Sequence, residues 1–502
     1  MSERTYTNPI HESYLGDPFV LEHNGEYYAY GTVPLGDLTI PVLRSRDLTS
    51  WRPLGDALAL DDDAFEALWA PEVAYDNGVF YMYYSAGGAE GQGHQLRVAT
   101  APHPAGPFED SGAILTPEDP FTIDAHPFRD ARDGEWYLYY CRDFLDPDGE
   151  DRVGTGIVVD RLVGMTRLAG EWRTVVRPRA GWQLFEQQRH WYGRVWDWYT
   201  VKGPSVCEHD GRYYCFYSGG AWKETNYGVG YVVADDPMGP FAPEPGAEGP
   251  RILRTRPGLV IGPGHASIAR APDNASEYLV YHAWDPEHTA RLMRMDRLDW
   301  SEGRPSSPGP TLDPQPAPPL PLLRDEFDGP NGAPPDPAAW RTDGGDWRQR
   351  DGELIQRDAG ARPATALVVC VPPGEEHLFE ANVRLVAAGD ERGRYGVCLD
   401  HGGPEDRTVL ALQTDGPALL YERRGDEDER AFGLETLGPH FVSRAYHRLL
   451  VRVAEGEAEV RVDGVRVASG LPVPSTGAGG AVGLFTWGAS AAFDGVSLTH
   501  PE

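Results

Sequence analysis

The sequence predicts an all-β protein, in which a five-bladed β-propeller is followed by a jelly-roll or concanavalin-like β-sandwich. Three observations carry this prediction: an aromatic repeat that occurs five times, a proline-rich segment after it, and alternating strands in the remainder. Gly and Pro account for 59 and 45 of the 502 residues, which is typical of many turns and short strands.

Each repeat contains a short apolar strand, a turn and a second, aromatic strand. The aromatic strands read NGEYYAYGT, NGVFYMYYSA, DGEWYLYYCRD, DGRYYCFYSGG and SEYLVYHAWD. Four of the five open with Asn-Gly or Asp-Gly, pairs that favour the positive-φ positions of tight hairpins. A third strand follows most of them, and three or four antiparallel strands repeated five times indicate a propeller.

The first strand of each repeat begins with a short motif, and in a propeller these beginnings crowd one end of the central axis. The motifs read GDPFVLEH, APEVAYD, DAHPFRDA, KGPSVCEH and PGHASIARA. We therefore expect side chains from five distant segments to meet there. They are Asp17, Trp69 to Glu72, Asp124 to His126, Lys202 with Gly203, and Gly264 with His265.

The longest interval between motifs separates the third from the fourth and contains AGWQLFEQQRHWYGRVWDWYT, residues 180–200. Aromatic faces pack on sugar rings, and amide and guanidinium groups bind hydroxyls. His190 and Trp198 are therefore candidate sugar contacts. The alternative is an interblade loop whose aromatic residues belong to the core.

Residues 303–322, GRPSSPGPTLDPQPAPPLPL, predict an extended linker between a propeller at residues 1–302 and a second domain at residues 323–502. In the second domain, HRLLVRVAEGEAEVRVDGVRVA predicts hairpins with Glu-Gly and Asp-Gly turns. We expect this sandwich to bind carbohydrate or to support the rim of the propeller site, and favour the second role.

The formal net charge of -32 argues against nucleic acid and anionic membrane surfaces as partners, because both are polyanions. No apolar run is long enough to span a membrane, and the first residues lack the pattern of a secretion signal, so a cytoplasmic location is expected. The five cysteines have no CxxC spacing, which indicates neither a disulfide framework nor a zinc site. No pattern indicates the oligomeric state.

In this order, the five motifs resemble those of glycoside hydrolase family 43, inverting five-bladed propellers that act on arabinose- and xylose-containing glycans. The resemblance implies that Asp17 in YLGDPFV is the general base. It implies that Asp124 in TIDAHPF modulates the pKa of the general acid and orients it, although Asp124 could instead cap a strand. Trp69 in WAPEV would contact sugar, and Glu72 would bind a polar partner near the site.

The resemblance also places His265 of GPGHASI near the axis, where the histidine of many family members reaches a metal ion, often calcium, directly or through water. A hydrogen-bonded structural histidine is the alternative. The reaction itself requires no cofactor. We expect Glu72, His126, His265 and Arg291 to contribute to substrate binding.

The fourth motif departs from the family pattern, which has Glu-Gly-Pro with the glutamate as general acid. Here TVKGPSV places Lys202 at that position, and its flanks align without a gap. Beside Asp17 and Asp124 the ammonium should stay protonated, and with a reference pKa of ~10.4 it is a weak acid at neutral pH. It should also pair with Asp17 and lower the pKa of that base. The replacement should cost most of the acid catalysis, on the order of 10²–10⁴-fold.

Three hypotheses follow from this lysine. The protein is an inverting, exo-acting glycosidase of the α-L-arabinofuranosidase or β-xylosidase type, with its acid supplied by Glu186, Asp197 or His190 of the insert. Alternatively, it is a catalytically impaired protein that binds a glycan in an intact pocket. In the third hypothesis, Lys202 binds an anionic substrate and supports a different chemistry.

Overall fold

The computed structural model is built almost entirely of antiparallel strands, with a turn of 3-10 helix at Gly181–Gln183. It describes residues 4–501 except 61–63, 90, 244–247, 361, 372, 390–392, 404–405, 415–417, 425–427, 435–436, 438–440 and 474–480. Within these described ranges, no helix is long and apolar enough to cross a membrane. The all-β prediction is confirmed.

The first part of the chain folds into five blades whose strands follow one another outward from the central axis. The predicted propeller is therefore confirmed. Blade 1 comprises Gly16–His23, Glu26–Thr32, Thr39–Ser45 and Arg52–Ala59; blade 2, Ala67–Asp76, Val79–Gly87, Gln95–Ala101 and Glu109–Ile114; blade 3, Thr122–Arg129, Trp136–Phe144, Gly154–Arg161 and Arg173–Val176; blade 4, Arg194–His209, Arg212–Gly219, Gly228–Ala234 and the short Ala242–Pro243 and Leu253–Arg254; blade 5, Ile261–Arg270, Glu277–Trp284 and Arg291–Ser301.

The ring of blades is closed by a strand that the sequence patterns did not predict. His11–Tyr14, which precedes blade 1, pairs with the outer strand of blade 5. The proline-rich segment also lies along the propeller, because Arg304–Ser306 continues that blade and Gln315–Pro316 pairs with Thr5–Tyr6. Both ends of the propeller segment are thus tied to the same side of the ring.

Five apolar clusters hold the blades together, one at each interface between neighbours. Tyr30 of blade 1 and Met82 of blade 2 are buried in one cluster, and Tyr139 of blade 3 and Cys215 of blade 4 in another. The aromatic repeat therefore supplies the interblade core, since alternate side chains of each second strand point to opposite faces of its blade.

The rest of the chain forms two sheets that pack face to face around one apolar core. The predicted sandwich is therefore confirmed. One sheet comprises Leu323–Asp325, Trp347–Arg350, Glu353–Gln356, His377–Ala388, His447–Ala454, Glu457–Val462, Val465–Pro472 and Ala489–Thr499; the other, Trp340–Asp343, Ala364–Val368, Arg394–Gly403, Asp406–Gln413, Ala418–Arg424, Asp428–Gly433 and Gly483–Trp487.

The sandwich contacts the propeller at the turns that follow the inner strands. Arg448 makes ion pairs with Glu22 of blade 1, at 3.1 Å, and with Glu380 of the sandwich, at 2.8 Å. It also donates to Asn274 in blade 5, at 2.6 Å. At the turn of blade 2, the N–H of Val442 donates to the side chain of Asn77, which leads into the second strand.

These contacts lie at the end of the axis opposite the strand beginnings. The inner strand of blade 1 has eight residues, Gly16–His23, and at ~3.3 Å per residue it spans roughly 25 Å. The expectation that the sandwich supports the rim of the site is therefore not met by these contacts. The sandwich lies at the far end of the inner strands instead, beside a cavity of about 310 Å³ that residues of both domains line.

Candidate active site

All five inner strands carry a β-bulge at the same position. Non-glycine residues rarely adopt a positive φ, and bulges re-aim side chains next to functional sites. Three of the bulged residues carry polar side chains, which converge at the axis. The bulged residues are Asp17, Ala70, Asp124, Gly203 and His265, with φ of 48°, 46°, 58°, 60° and 51°.

The N–H group of each bulged residue is bound by a side chain of the preceding blade. These hydrogen bonds stabilise the positive-φ backbone of the bulges, and the sequence motifs did not predict them. The acceptors are His282 for Asp17, Thr32 for Ala70, Ser85 for Asp124, Asp124 for Gly203 and Ser218 for His265, at 2.7–3.1 Å.

Asp17 is a buried carboxylate with two cationic neighbours. Both of its oxygens accept from Nη1 of Arg291 at 3.0 Å, and Nδ1 of His265 lies 3.1 Å from Oδ1. Burial acts to raise the pKa of Asp17, but Arg291 and His265 outweigh burial and hold it well below its ordinary value. Arg291 and His265, rather than Lys202 as expected, are therefore the main groups that keep this carboxyl ionised.

His265 lies between the two axial carboxylates. Its Nδ1 is 3.9 Å from Oδ2 of Asp124 as well as 3.1 Å from Asp17. Burial lowers the pKa of His265, but the two carboxylates outweigh burial and raise it. Gly203 is needed beside it, since a Cβ there would come within 3.1 Å of the imidazole at a φ of 60°.

His282 is a neutral histidine of the site that the motifs did not identify. Its Nδ1 accepts the N–H of Asp17 at 3.0 Å, so the proton of the neutral ring is on Nε2. Burial and the neighbouring Arg291 hold the pKa of His282 well below its ordinary value. Its position in SEYLVYHAWD, at the end of an aromatic strand, was the available signal.

The Arg291 side chain is held at Asp17 by several contacts. Its Nε donates to the Tyr14 hydroxyl at 2.7 Å, and its guanidinium lies 4.7 Å from the ring of Trp222. It passes over Gly16, where a Cβ would come within 2.3 Å of Cζ. In this structure Arg291 positions Asp17, and its predicted contact with substrate stays a prediction.

Glu72 and His126 form a buried pair, with 2.7 Å between Oε2 and Nδ1. Nε2 of His126 accepts the N–H of Val206, so the pair links blades 2, 3 and 4. Burial raises the pKa of Glu72. Because Oε2 of Glu72 and both ring nitrogens of His126 have protein partners, the pair holds neighbouring blades together. The predicted substrate contacts of both residues stay predictions.

Trp69 and Lys202 occupy equivalent positions, each one residue before a bulge. One face of the Trp69 indole stacks on His94, with ring centroids 3.7 Å apart. The side chain is partly exposed, and its role as a sugar contact stays a prediction.

Lys202 is partly exposed near the middle of the strand Arg194–His209. Its ammonium lies 5.9 Å from the ring centre of Tyr227 and, within the described part of the chain, makes no hydrogen bond or ion pair. Burial lowers the pKa of Lys202, but Tyr227 and the carboxylates of Asp124 and Asp17 outweigh burial and raise it. The direction agrees with the expectation that Lys202 stays a cation.

Glu186 does not lie at the axis. It is exposed on the hairpin that Leu184–Trp191 forms with the following strand, 3.7 Å from Arg189 and opposite Trp198. Trp198 precedes Lys202 by four residues, or roughly 13 Å of strand. The structure does not bring this candidate acid to the base.

The other candidates in the insert are also placed away from the axis. Asp197 is exposed and accepts the N–H of Gln188 at 3.1 Å, and His190 is exposed near the tip of the hairpin. Trp198 is buried and donates to the Thr155 hydroxyl. Trp198 therefore fits the alternative interpretation, in which the aromatic residues of the insert belong to the core.

Asp143 is a carboxyl of this region that the motifs missed. Burial raises its pKa to about 6, although Thr155, Tyr192 and Trp191 all donate to it. With three donors from its surroundings, Asp143 holds the tip of the insert hairpin against blade 3.

The residues around His265 do not fit a directly bound calcium ion. Calcium takes six to eight oxygen ligands, whereas Asp17 and Asp124 already face the imidazole and Arg291. In the part of the chain that the structure describes, no group of three or more His, Cys, Asp or Glu side chains has the arrangement of a metal site.

A buried carboxylate whose pKa is held well below its ordinary value thus lies at the axis of five bulged strands. The model of glycosyl hydrolases family 43 matches residues 6–305, and the chain belongs to this family. It is 33% identical to a thermostable family-43 glycoside hydrolase of known crystal structure, with a TM-score of 0.55 over 62% of this chain and 99% of that one.

Two relatives named for furanoside substrates are also similar to the chain. The β-D-galactofuranosidase xynD of Aspergillus niger is 27% identical, over 58% of this chain and 80% of the relative. The extracellular exo-α-(1→5)-L-arabinofuranosidase of Streptomyces chartreusis is 28% identical, over 55% of this chain and 82% of the relative.

Proposed function

We propose that the protein is an inverting, exo-acting glycosidase of the α-L-arabinofuranosidase or β-xylosidase type, with Asp17 as general base. One observation carries the proposal: Asp17 is buried at the axis, and its pKa is held well below its ordinary value by Arg291 and His265. The arabinofuranosidase type comes first, because the two relatives described above are named for furanosides.

In the proposed reaction, Asp17 takes a proton from a water molecule as that water attacks the anomeric carbon. Inversion needs this base on one face of the sugar and a proton donor at the leaving oxygen on the other. With a lysine at position 202, Asp124 has no general acid at that position whose pKa it could modulate. Its proposed role is to hold the turn that carries Lys202, through the 3.0 Å bond from the N–H of Gly203.

Lys202 determines which glycosides are good substrates in this scheme. An ammonium with a raised pKa donates a proton poorly, so glycosides whose alcohol must be protonated react slowly. It can still stabilise negative charge that develops on the leaving oxygen. We therefore expect aryl glycosides to react faster than oligosaccharides.

The test is Asp17→Asn, assayed with 4-nitrophenyl α-L-arabinofuranoside and 4-nitrophenyl β-D-xyloside. Loss of the base should lower kcat/KM by ~10²–10⁴-fold. Asp210→Asn is the matched control, because Asp210 has the same φ of 48° but is exposed at the turn that ends the inner strand of blade 4. Equal activities of the two variants would remove Asp17 from the reaction.

The binding-only alternative makes a different prediction. A protein without turnover would bind arabino-oligosaccharides, measured by calorimetry, and would release no sugar from any glycoside. Turnover of either aryl glycoside that depends on Asp17 would eliminate this alternative.

A further inference from the structure

The five residues that precede the bulges do not form a symmetric ring. Two are glycines covered by side chains from elsewhere: Arg291 passes over Gly16, and Tyr227 passes over Gly264, where a Cβ would come within 2.2 Å of Cε1. Lys202 is the charged member of this ring. Its neighbour at the axis is therefore the phenol that covers Gly264.

The Lys202 ammonium and the phenol of Tyr227 lie near each other at this place. The Tyr227 hydroxyl is buried beside Ser218, whose Oγ already accepts the N–H of His265, and no well-formed hydrogen bond to the Tyr227 hydroxyl is seen among the described residues. The Lys202 ammonium, 5.9 Å from the same ring, is likewise unpaired among the described residues. A buried hydroxyl without a well-formed hydrogen bond is unfavourable, so a ligand oxygen that accepts from it would stabilise this arrangement.

No ion pair joins Lys202 to the axial carboxylates in the described part of the chain, although Asp124 and Asp17 act on its charge over a longer distance. Asp17 is engaged by Arg291 and His265, and Asp124 accepts the N–H of Gly203 and faces His265. The partly exposed Lys202 is thus a cation near the axis of a protein whose net charge is -32.

Lysine is a rare residue in this chain, and one of its lysines lies at position 202. The chain has 45 Lys and Arg residues, of which two are lysines, Lys202 and Lys223, leaving 43 arginines. A surface cation in this chain is therefore almost always a guanidinium. An ammonium is a compact point charge with three donors, suited to a single oxyanion.

We propose that the substrate carries a leaving group that departs as an oxyanion, a glycosyl phosphate, held by the Lys202 ammonium and the Tyr227 hydroxyl. This inference rests on the proposed function and names its substrate class. In the proposed function Lys202 stands at the leaving oxygen, so the group bound there is the one that leaves. Phosphate is favoured over a uronate substituent, because a uronate would still leave an alcohol to be protonated.

The reaction balances without a proton donor. Water attacks the anomeric carbon of a glycosyl phosphate monoanion, and Asp17 takes one proton of that water. The carbon–oxygen bond to phosphate breaks, its electron pair stays on the phosphate oxygen, and hydrogen phosphate dianion leaves. The substrate is a monoanion below the second phosphate pKa of ~6, where the lowered pKa of Asp17 keeps the base ionised.

The experiment compares three substrates with one sugar at pH 5.5: α-L-arabinofuranosyl 1-phosphate, 4-nitrophenyl α-L-arabinofuranoside and α-1,5-L-arabinobiose. We expect kcat/KM to be highest for the phosphate and at least ~10²-fold lower for the disaccharide. Lys202→Met should lower phosphate release by ~10²–10³-fold, the usual effect of removing one donor to a developing oxyanion. Lys223→Met, a lysine in the loop next to Trp222, is the matched control and should leave it unchanged.

A second measurement does not depend on turnover. With two lysines in the chain, ¹⁵N-lysine labelling gives two ammonium signals, and Lys202→Met assigns them. Inorganic phosphate should shift the Lys202 signal and leave that of Lys223 in place, whereas acetate at equal ionic strength should shift neither. A shift with acetate alone, or with neither anion, would overturn the proposal.

The outcomes separate this inference from the function on which it rests. Disaccharide hydrolysis as fast as phosphate release, or phosphate release that survives Lys202→Met, would overturn the inference and leave an Asp17-dependent glycosidase. Faster hydrolysis of a disaccharide with a uronic acid leaving group would also overturn it. No Asp17-dependent turnover of any substrate would overturn both.

Discussion

Replacing Arg291 with methionine removes the guanidinium that holds Asp17 and keeps a side chain of similar length. In the wild type, both Asp17 oxygens accept from Nη1 at 3.0 Å. An opposite charge within ~4–6 Å lowers a carboxyl pKa by roughly 1–3 units. Without Arg291, burial is opposed mainly by His265, so the pKa of Asp17 should rise.

The same change has a defined effect on stability. Because the folded-state pKa of Asp17 is depressed, its stabilisation is present above the unfolded-state value of ~3.9 and is lost as the pH falls through the folded-state pKa. Removing one partner of a buried ion pair costs about 3–5 kcal/mol. Arg291→Met should lose about that much free energy of unfolding at pH 7, and the difference should shrink in acid.

The assay is kcat/KM against pH for an aryl α-L-arabinofuranoside, with urea unfolding at each pH. The acid limb should move to higher pH in Arg291→Met. Arg297→Met is the matched control, since Arg297 lies on the same strand but is 58% exposed, paired with Asp299. An acid limb that coincides with that of the wild type would refute this reasoning.

Three further changes test other parts of the structure. Gly16→Ala places a Cβ within 2.3 Å of Arg291 and should lower kcat/KM at least ~10-fold, while Gly181→Ala, with no atom within 4 Å, should be neutral. Glu186→Gln should leave turnover within about twofold of the wild type, because Glu186 is exposed and lies away from Asp17. A large loss of turnover would support the hypothesis that Glu186 is the general acid. Arg448→Met should lower the Tm and separate two calorimetric transitions, and a single unchanged transition would contradict the docking described above.

The repeat made the fold predictable because each blade carries its own turn and its own aromatic strand. Local pairs such as Asn24-Gly25 and Asn77-Gly78 set the hairpins, and the regular spacing set the number of blades. The strand that closes the ring was not predictable in this way. His11–Tyr14 pairs with a strand almost 280 residues later, and no local pattern specifies such a partner.

The site was predictable only where the motif itself bears the functional group. Asp17, Asp124 and His265 meet as expected, because each sits on the bulge of an inner strand. Their partners come from other strands: His282 binds the N–H of Asp17 across 265 positions, and Arg291 binds its carboxylate across 274. The position of the sandwich was missed for the same reason, since long-range packing determines which end of the axis it covers.

The central claim is that Asp17 activates water for a single displacement at the anomeric carbon. The most direct test is the configuration of the first sugar released from an aryl α-L-arabinofuranoside, followed by proton NMR within the first minutes of reaction. A single displacement inverts the anomeric configuration, so the β-anomer should appear first and the α-anomer should follow by mutarotation. Release of the α-anomer first would contradict the claim, because it requires two displacements and a nucleophile in place of a base.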